Sequence, residues 1–125
     1  MQIRVGTDII EVERIKQSIE NFGDKFLNKI YTKEEIAYCN KNADTKYQHF
    51  AVRFAAKEAA FKAISELVDN TLIWKNIQVS NQEHGRPQII ISGIDKEQFK
   101  KIENIDVSLS HVKDNAIATV VVLLK

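Results

Sequence analysis

Phe50-Ala51-Val52-Arg53-Phe54-Ala55-Ala56-Lys57-Glu58-Ala59-Ala60-Phe61-Lys62-Ala63-Ile64 decides how the rest of the chain must be arranged. At ~100° per residue, Phe50, Phe54, Phe61, Ile64 and Val68 form one apolar stripe. Val52, Ala56, Ala59, Ala60, Ala63 and Leu67 cover much of the opposite side. A helix that is apolar nearly all round is a buried helix. Glu58, Lys62, Ser65 and Glu66 fall in a single polar sector, with Ala51 and Ala55 beside them. That composition suits a helix packed behind and facing a cleft in front. A buried carboxylate without a cation is costly, so Glu58 needs a positive partner. Lys62, one turn on, is the structural candidate, in a helix pair worth ~0.2–0.5 kcal/mol. A metal ion is the functional candidate.

The flanking sequence supplies what packs on this helix. Ile3, Val5, Thr7 and Ile9 alternate with Gln2, Arg4, Gly6 and Asp8, which predicts a strand ending near Asp8. Val12, Ile15, Ile19 and Phe22 recur at helical spacing, and Gly23 is a stop. Asp24 to Tyr31 reads as a short helix. Thr32 with Glu35 three residues on is a capping box that opens another, carrying Ile36 and Cys39. Lys41 to Asp44 is a polar loop, and the central helix is expected from about Thr45 or Lys46 to about Val68, ended by Asp69 and Asn70. Strands are expected at Ile77–Val79 and Gln88–Ser92, around a turn at Asn81–Pro87. Ile94 to Lys101 reads as a short helix with Phe99 inward. Asp106 to His111 and Ala116 to Leu124 form a hairpin around Lys113-Asp114-Asn115. The sum is an α+β fold, an antiparallel sheet packed on one long helix.

The whole chain sets the bounds. Its 125 residues fit one domain, 1–125, with a modest core. So much apolar helix surface in so small a chain implies that another subunit helps to cover it. Lys plus Arg (18) nearly cancels Asp plus Glu (17), which argues against a nucleic-acid binder. Cys39 is the only cysteine, so neither an internal disulfide nor a Cys/His zinc site is available. No leader pattern and no long apolar run occur, so a cytoplasmic protein without membrane association is expected.

Asp8 and Glu58 each interrupt an apolar stretch, and two such carboxylates suit a magnesium ion that keeps most of its waters. They could equally be a capping aspartate and a helix glutamate paired with Lys62. Gly85-Arg86-Pro87 is a hairpin turn in one reading and a phosphate-holding loop in the other. His111 is a packed core histidine or a general base. Arg14 and Lys16 are solvated charges or greet an acidic partner.

Taken together, these motifs resemble those of the holo-acyl-carrier-protein synthases, the short 4'-phosphopantetheinyl transferases. Gly6-Thr7-Asp8-Ile9-Ile10-Glu11-Val12-Glu13-Arg14-Ile15 is similar to the first signature, and Arg53-Phe54-Ala55-Ala56-Lys57-Glu58-Ala59 with Lys62-Ala63 to the second. Gly85-Arg86-Pro87 and Ser108-Leu109-Ser110-His111 resemble the third and fourth, in the same order. Asn115 departs from the pattern, which usually has an aromatic residue there. The resemblance implies transfer of the phosphopantetheine arm of coenzyme A to a serine of apo-acyl carrier protein, with adenosine 3',5'-bisphosphate as by-product. It implies Mg²⁺ held by Asp8 and Glu58, and Lys62 on the same phosphates. Gly85, Arg86 and Pro87 would line the nucleotide site, with His111 at its edge. Glu58, His111 or a metal-bound water could each take the serine proton. Arg14 would meet the acidic carrier protein, and a homotrimer with sites between subunits is implied. A small Mg²⁺-dependent phosphoester hydrolase and a non-catalytic trimeric interaction module are the alternatives.

Overall fold

The computed structural model describes residues 1–68 and 72–125. Strand β1 (Gln2–Glu11) runs into helix α1 (Val12–Phe22), followed by α2 (Asp24–Ile30), α3 (Lys33–Cys39) and the long α4 (Lys46–Ile64). A 3₁₀ turn (Trp74–Asn76) leads to β2 (Ile77–Asn81) and β3 (Pro87–Ile91), then α5 (Lys96–Lys100), β4 (Ile102–His111) and β5 (Asn115–Leu124). Gly23 ends α1 with φ 53°, its N–H donating to Ile19 O at 2.7 Å. Both halves of the Thr32–Glu35 capping box are formed. α4 stops at Ile64, short of Val68, and the stop expected at Asp69 and Asn70 lies outside the described residues.

The expected α+β arrangement is present, divided into two sheets. One has the order β1-β5-β4, antiparallel throughout, and β2-β3 is a separate two-stranded ribbon. α4 lies against the sheet, where Ala55, Ala56, Ala59, Ala60, Ala63 and Ile64 cluster with Val107, Ala118, Val120 and Val122. On its other side, Phe50, Ala51 and Val52 pack with Val12, Ile15, Ile30, Tyr31 and Cys39.

Several expectations are corrected. The chain itself covers α4, so the helix needs no second subunit for burial: Ala55, Ala56, Ala59 and Ala60 are all 0 % exposed. Ala51 is equally buried, so neither Ala51 nor Ala55 faces a cleft. Uncovered apolar surface lies elsewhere, on the outer face of the sheet. Ile3, Val5 and Ile9 are 61 %, 59 % and 65 % exposed, and Val5 and Ile9 pair across β5 with Val121 and Ile117, which are exposed too. The face of β1 turned to α4 carries Gly6 and Asp8 instead. The reason is proximity: a Cβ on Gly6 would stand 1.8 Å from the Ala59 carbonyl oxygen. Only a residue without a side chain lets strand and helix approach so closely. β1 continues to Glu11, so Asp8 is an interior strand residue opposite Ala118 and not a strand end. Phe99 is exposed, on a helix of a single turn capped by Asp95. Asn115 opens β5 at the exposed hairpin, where Val112 N donates to its carbonyl.

Two charged residues of α4 that its periodicity does not reveal as buried, Arg53 and Lys57, lie in the interior. Lys57 Nζ sits 2.8 Å from Glu35 Oε1, and both side chains are 0 % exposed. The ammonium also donates to the carbonyls of Trp74 (3.1 Å) and Ile77 (2.5 Å). Glu35 accepts from Thr32 N and from Val79 N, each at 2.8 Å. One ion pair therefore ties α3, α4, the 3₁₀ turn and β2 together. Burial pushes the Lys57 pKa below its ordinary value, and the neighbouring Glu35 carboxylate holds it up against that.

Candidate active site

Asp8 and Glu58 line one cleft of ≈ 320 Å³, together with Arg14, Ser18, Phe26 and Phe54. The close packing of Gly6 on Ala59 creates this neighbourhood. Asp8 is two residues beyond Gly6 on the same strand face, and Glu58 precedes Ala59 on the helix. Lys62 does not pair with Glu58, as the helix spacing allowed. Its Nζ reaches across to β1, donating to Thr7 O at 2.9 Å and Asp8 Oδ1 at 3.2 Å. Glu58 is half-buried and has no ion-pair partner among the described residues. A half-buried carboxylate without a protein cation, beside a second carboxylate, fits a hard divalent ion. Among the described residues no group of three or more His, Cys, Asp or Glu side chains could enclose a metal. Such an ion would therefore rely on water and ligand oxygens for its remaining coordination, as Mg²⁺ commonly does.

The other predicted residues gather elsewhere. His49 and Glu58 are nine positions apart on α4, which at ~100° per residue is half a turn beyond two full ones, so they leave opposite flanks. His111 joins the His49 flank, ring centroids 5.7 Å apart, and it is exposed, so it is not a core histidine. Burial, together with the nearby Arg53 and His111, holds the His49 pKa below the ordinary histidine value. Arg53 stacks 4.2 Å from the Tyr38 ring centroid and donates to Asn81 Oδ1 at 2.9 Å, and Asn81 Nδ2 donates to Gly85 O at 3.0 Å. Gly85, with φ 89°, forms the turn and lines a hollow with Tyr38, Lys41 and Asn81. Pro87 opens β3. Arg86 points to the outer sheet face, where its Nη2 donates to Asp106 Oδ2 at 2.7 Å. Arg14 is exposed at the rim of the Asp8–Glu58 cleft. Lys16 instead lies over the Tyr47 ring at 5.6 Å.

Arg53 is the residue that the sequence reading missed here. It is 2 % exposed, its Nε has no hydrogen-bond partner, and it forms no ion pair among the described residues. A buried guanidinium without a counter-ion is prepared for an anion. The signal was in the sequence: Arg53 follows Phe50 by three, inside the turn that Phe50 and Phe54 bury.

A helix laid on an antiparallel sheet, with a carboxylate pair on one flank and an arginine–histidine group on the other, matches a known class. Residues 4–121 match the 4'-phosphopantetheinyl transferase superfamily. The sequence is 42 % identical to the holo-[acyl-carrier-protein] synthase of Ruminiclostridium cellulolyticum, over 99 % of this chain and 94 % of that protein. It is 44 % identical to the synthase of Thermodesulfovibrio yellowstonii, over 94 % and 96 %. The crystal structure of the Helicobacter pylori holo-[acyl-carrier-protein] synthase in complex with coenzyme A superposes with a TM-score of 0.82, at 32 % identity, over 95 % of this chain and 99 % of that one. The chain belongs to the 4'-phosphopantetheinyl transferase superfamily, as an enzyme of its holo-[acyl-carrier-protein] synthase group. Among the described residues no helix is long and apolar enough to cross a membrane.

Proposed function

We propose that this chain, residues 1–125 acting as one domain, transfers 4'-phosphopantetheine from coenzyme A to a serine of apo-acyl carrier protein and releases adenosine 3',5'-bisphosphate. The observation that carries the reading is the cleft shared by Asp8 and Glu58, with Lys62 bonded to Asp8, in a chain of this family. Asp8 and Glu58 would hold Mg²⁺. The chemistry supplied by the bound ion is neutralisation of the diphosphate oxygens. Lys62, fixed on Thr7 O and Asp8, places a further positive charge where the leaving phosphate gains negative charge. Arg53, Gly85, Arg86 and Pro87 bind the nucleotide portion, and the exposed His111 imidazole accepts the serine proton. Arg14 at the cleft rim meets the acidic carrier protein.

The half-turn between Glu58 and His49 supports a site shared between copies, since α4 stands between the two groups within one chain. The apolar strip of Ile3, Val5, Ile9, Ile117 and Val121 gives copies a surface to meet on. A homotrimer built on this sheet face, working in the cytoplasm, completes the proposal. Intact-mass measurement of an apo-carrier protein after incubation with this protein, Mg²⁺ and coenzyme A tests it. A mass gain of one phosphopantetheine is expected. Cleavage of coenzyme A in the absence of carrier would instead identify a hydrolase, and no reaction or binding at all an interaction module.

A further inference from the structure

Arg86 is an arginine on a turn whose backbone is held by three hydrogen bonds. Gln82 N donates to its carbonyl at 2.8 Å, Gly85 N donates to Gln82 O at 2.7 Å, and Asn81 Nδ2 holds Gly85 O at 3.0 Å. Pro87 follows and restricts the backbone further. Beyond this frame the Arg86 side chain has one partner among the described residues, Asp106, twenty positions away on the other sheet. Asp106 is itself oriented. Its Oδ1 accepts from Val107 N at 2.9 Å, which leaves Oδ2 for the guanidinium at 2.7 Å. The pair stands beside Ser108, Thr119 and Val121 on the outer sheet face, next to the uncovered apolar strip.

We infer that Asp106 is a positioning residue for Arg86, fixing its guanidinium at the edge of the face where copies meet so that it receives the phosphate groups of coenzyme A. The inference rests on the proposed role of Arg86 in nucleotide binding. A guanidinium carries five N–H donors in a planar fork. The Asp106 contact is made through Nη2, leaving the donors on Nε and Nη1 for a ligand. Both side chains are 57 % exposed, so the pair contributes little to stability. Its effect lies in reducing the rotamer freedom that binding would otherwise have to remove.

Coenzyme A affinity by titration calorimetry, and KM with kcat against an apo-carrier protein, test this on the full chain. Asp106→Ala is expected to raise Kd and KM for coenzyme A by ~3–10-fold, with kcat and melting temperature unchanged. Asp106→Asn, which keeps an acceptor oxygen, is expected to fall between Asp106→Ala and wild type. In an Arg86→Ala background, Asp106→Ala should add nothing. If Arg86→Ala weakens coenzyme A binding while Asp106→Ala binds as wild type or tighter, the role of Asp106 is overturned alone. If Arg86→Ala itself binds as wild type, the nucleotide role of Arg86 falls, and the inference with it.

Discussion

Replacing Glu35 by methionine perturbs a buried carboxylate that holds Lys57, Thr32 N and Val79 N at once. The substitution strands the Lys57 ammonium in a site with 0 % exposure and removes the acceptor for Val79 N. Removing one member of a buried pair costs about 3–5 kcal/mol. Unfolding entropy of about 2.1 cal/mol/K per residue gives roughly 0.26 kcal/mol/K for 125 residues, so the melting temperature should fall by roughly 11–19 °C. Lys57→Met should cost a similar amount, since it leaves the Glu35 carboxylate buried and the Trp74 and Ile77 carbonyls without their donor. The double variant leaves neither charge of the pair buried without the other, so its loss should lie below the sum of the two singles by at least about 2 kcal/mol. Urea unfolding at one fixed protein concentration measures all four corners of the cycle, because the proposed association of copies would make apparent stability depend on concentration. A Glu35→Met cost below about 1 kcal/mol, or strictly additive singles, would refute the account of this pair as a clamp between α3, α4 and β2.

Asp8→Ala and Glu58→Gln should each lower turnover by at least ~100-fold with the melting temperature preserved, and chelation of divalent ions should do the same to the unmodified protein until Mg²⁺ is restored; near-normal turnover of either variant at modest Mg²⁺ would remove it from the metal site. His111→Ala should cut turnover by ~10²–10⁴-fold at little cost in coenzyme A affinity, whereas lost affinity with surviving turnover would make it a nucleotide ligand. Arg14→Glu should slow association with carrier protein and flatten its salt dependence, with coenzyme A affinity unchanged; an unaltered salt series would take Arg14 off the docking surface. Burial pushes the Cys39 thiol up to about 12 from an ordinary 9.0, and raises Tyr31 well above 10.0 for the same reason. Both folded values lie above the unfolded ones, so the stabilisation is complete below about pH 9 and is lost as pH climbs towards the folded values. The melting temperature should therefore drop above about pH 9, and Cys39→Ala, though less stable at neutral pH, should drop less steeply; equal slopes would contradict the burial argument.

The order and type of the elements were legible because their signals are local: the Thr32–Glu35 box, the stop at Gly23, the hairpin around Asp114. The facing of β1 was not. Its alternation identifies two faces, one with Ile3, Val5 and Ile9 and one with Gly6 and Asp8, without saying which one meets the helix. Gly6 opposite Ala59 decided that question, and a contact over 53 positions leaves no periodic trace. Asp8, Glu58 and Lys62 could be selected as polar interruptions of apolar runs. Their wiring could not, because the partner of Lys62 comes from another element, Asp8 and not Glu58. Lys57 sits seven positions from both Phe50 and Ile64, so the stripe itself required an inward lysine. Glu35 escaped notice because its capping role already accounted for it.

The contact between Gly6 and Ala59 also governs how this sequence can change. Any larger residue at position 6 must push β1 off α4, and the displaced strand takes Asp8 with it while Glu58 stays on the helix. Compensating substitutions that fill the new gap can restore folding without restoring the spacing of the two carboxylates. Selection for stability alone would accept such pairs, and selection for turnover would reject them. Position 6 is thus constrained twice over, by packing and by a distance it does not itself span, and drift there requires Ala59, Ala63 and the cleft to move in concert.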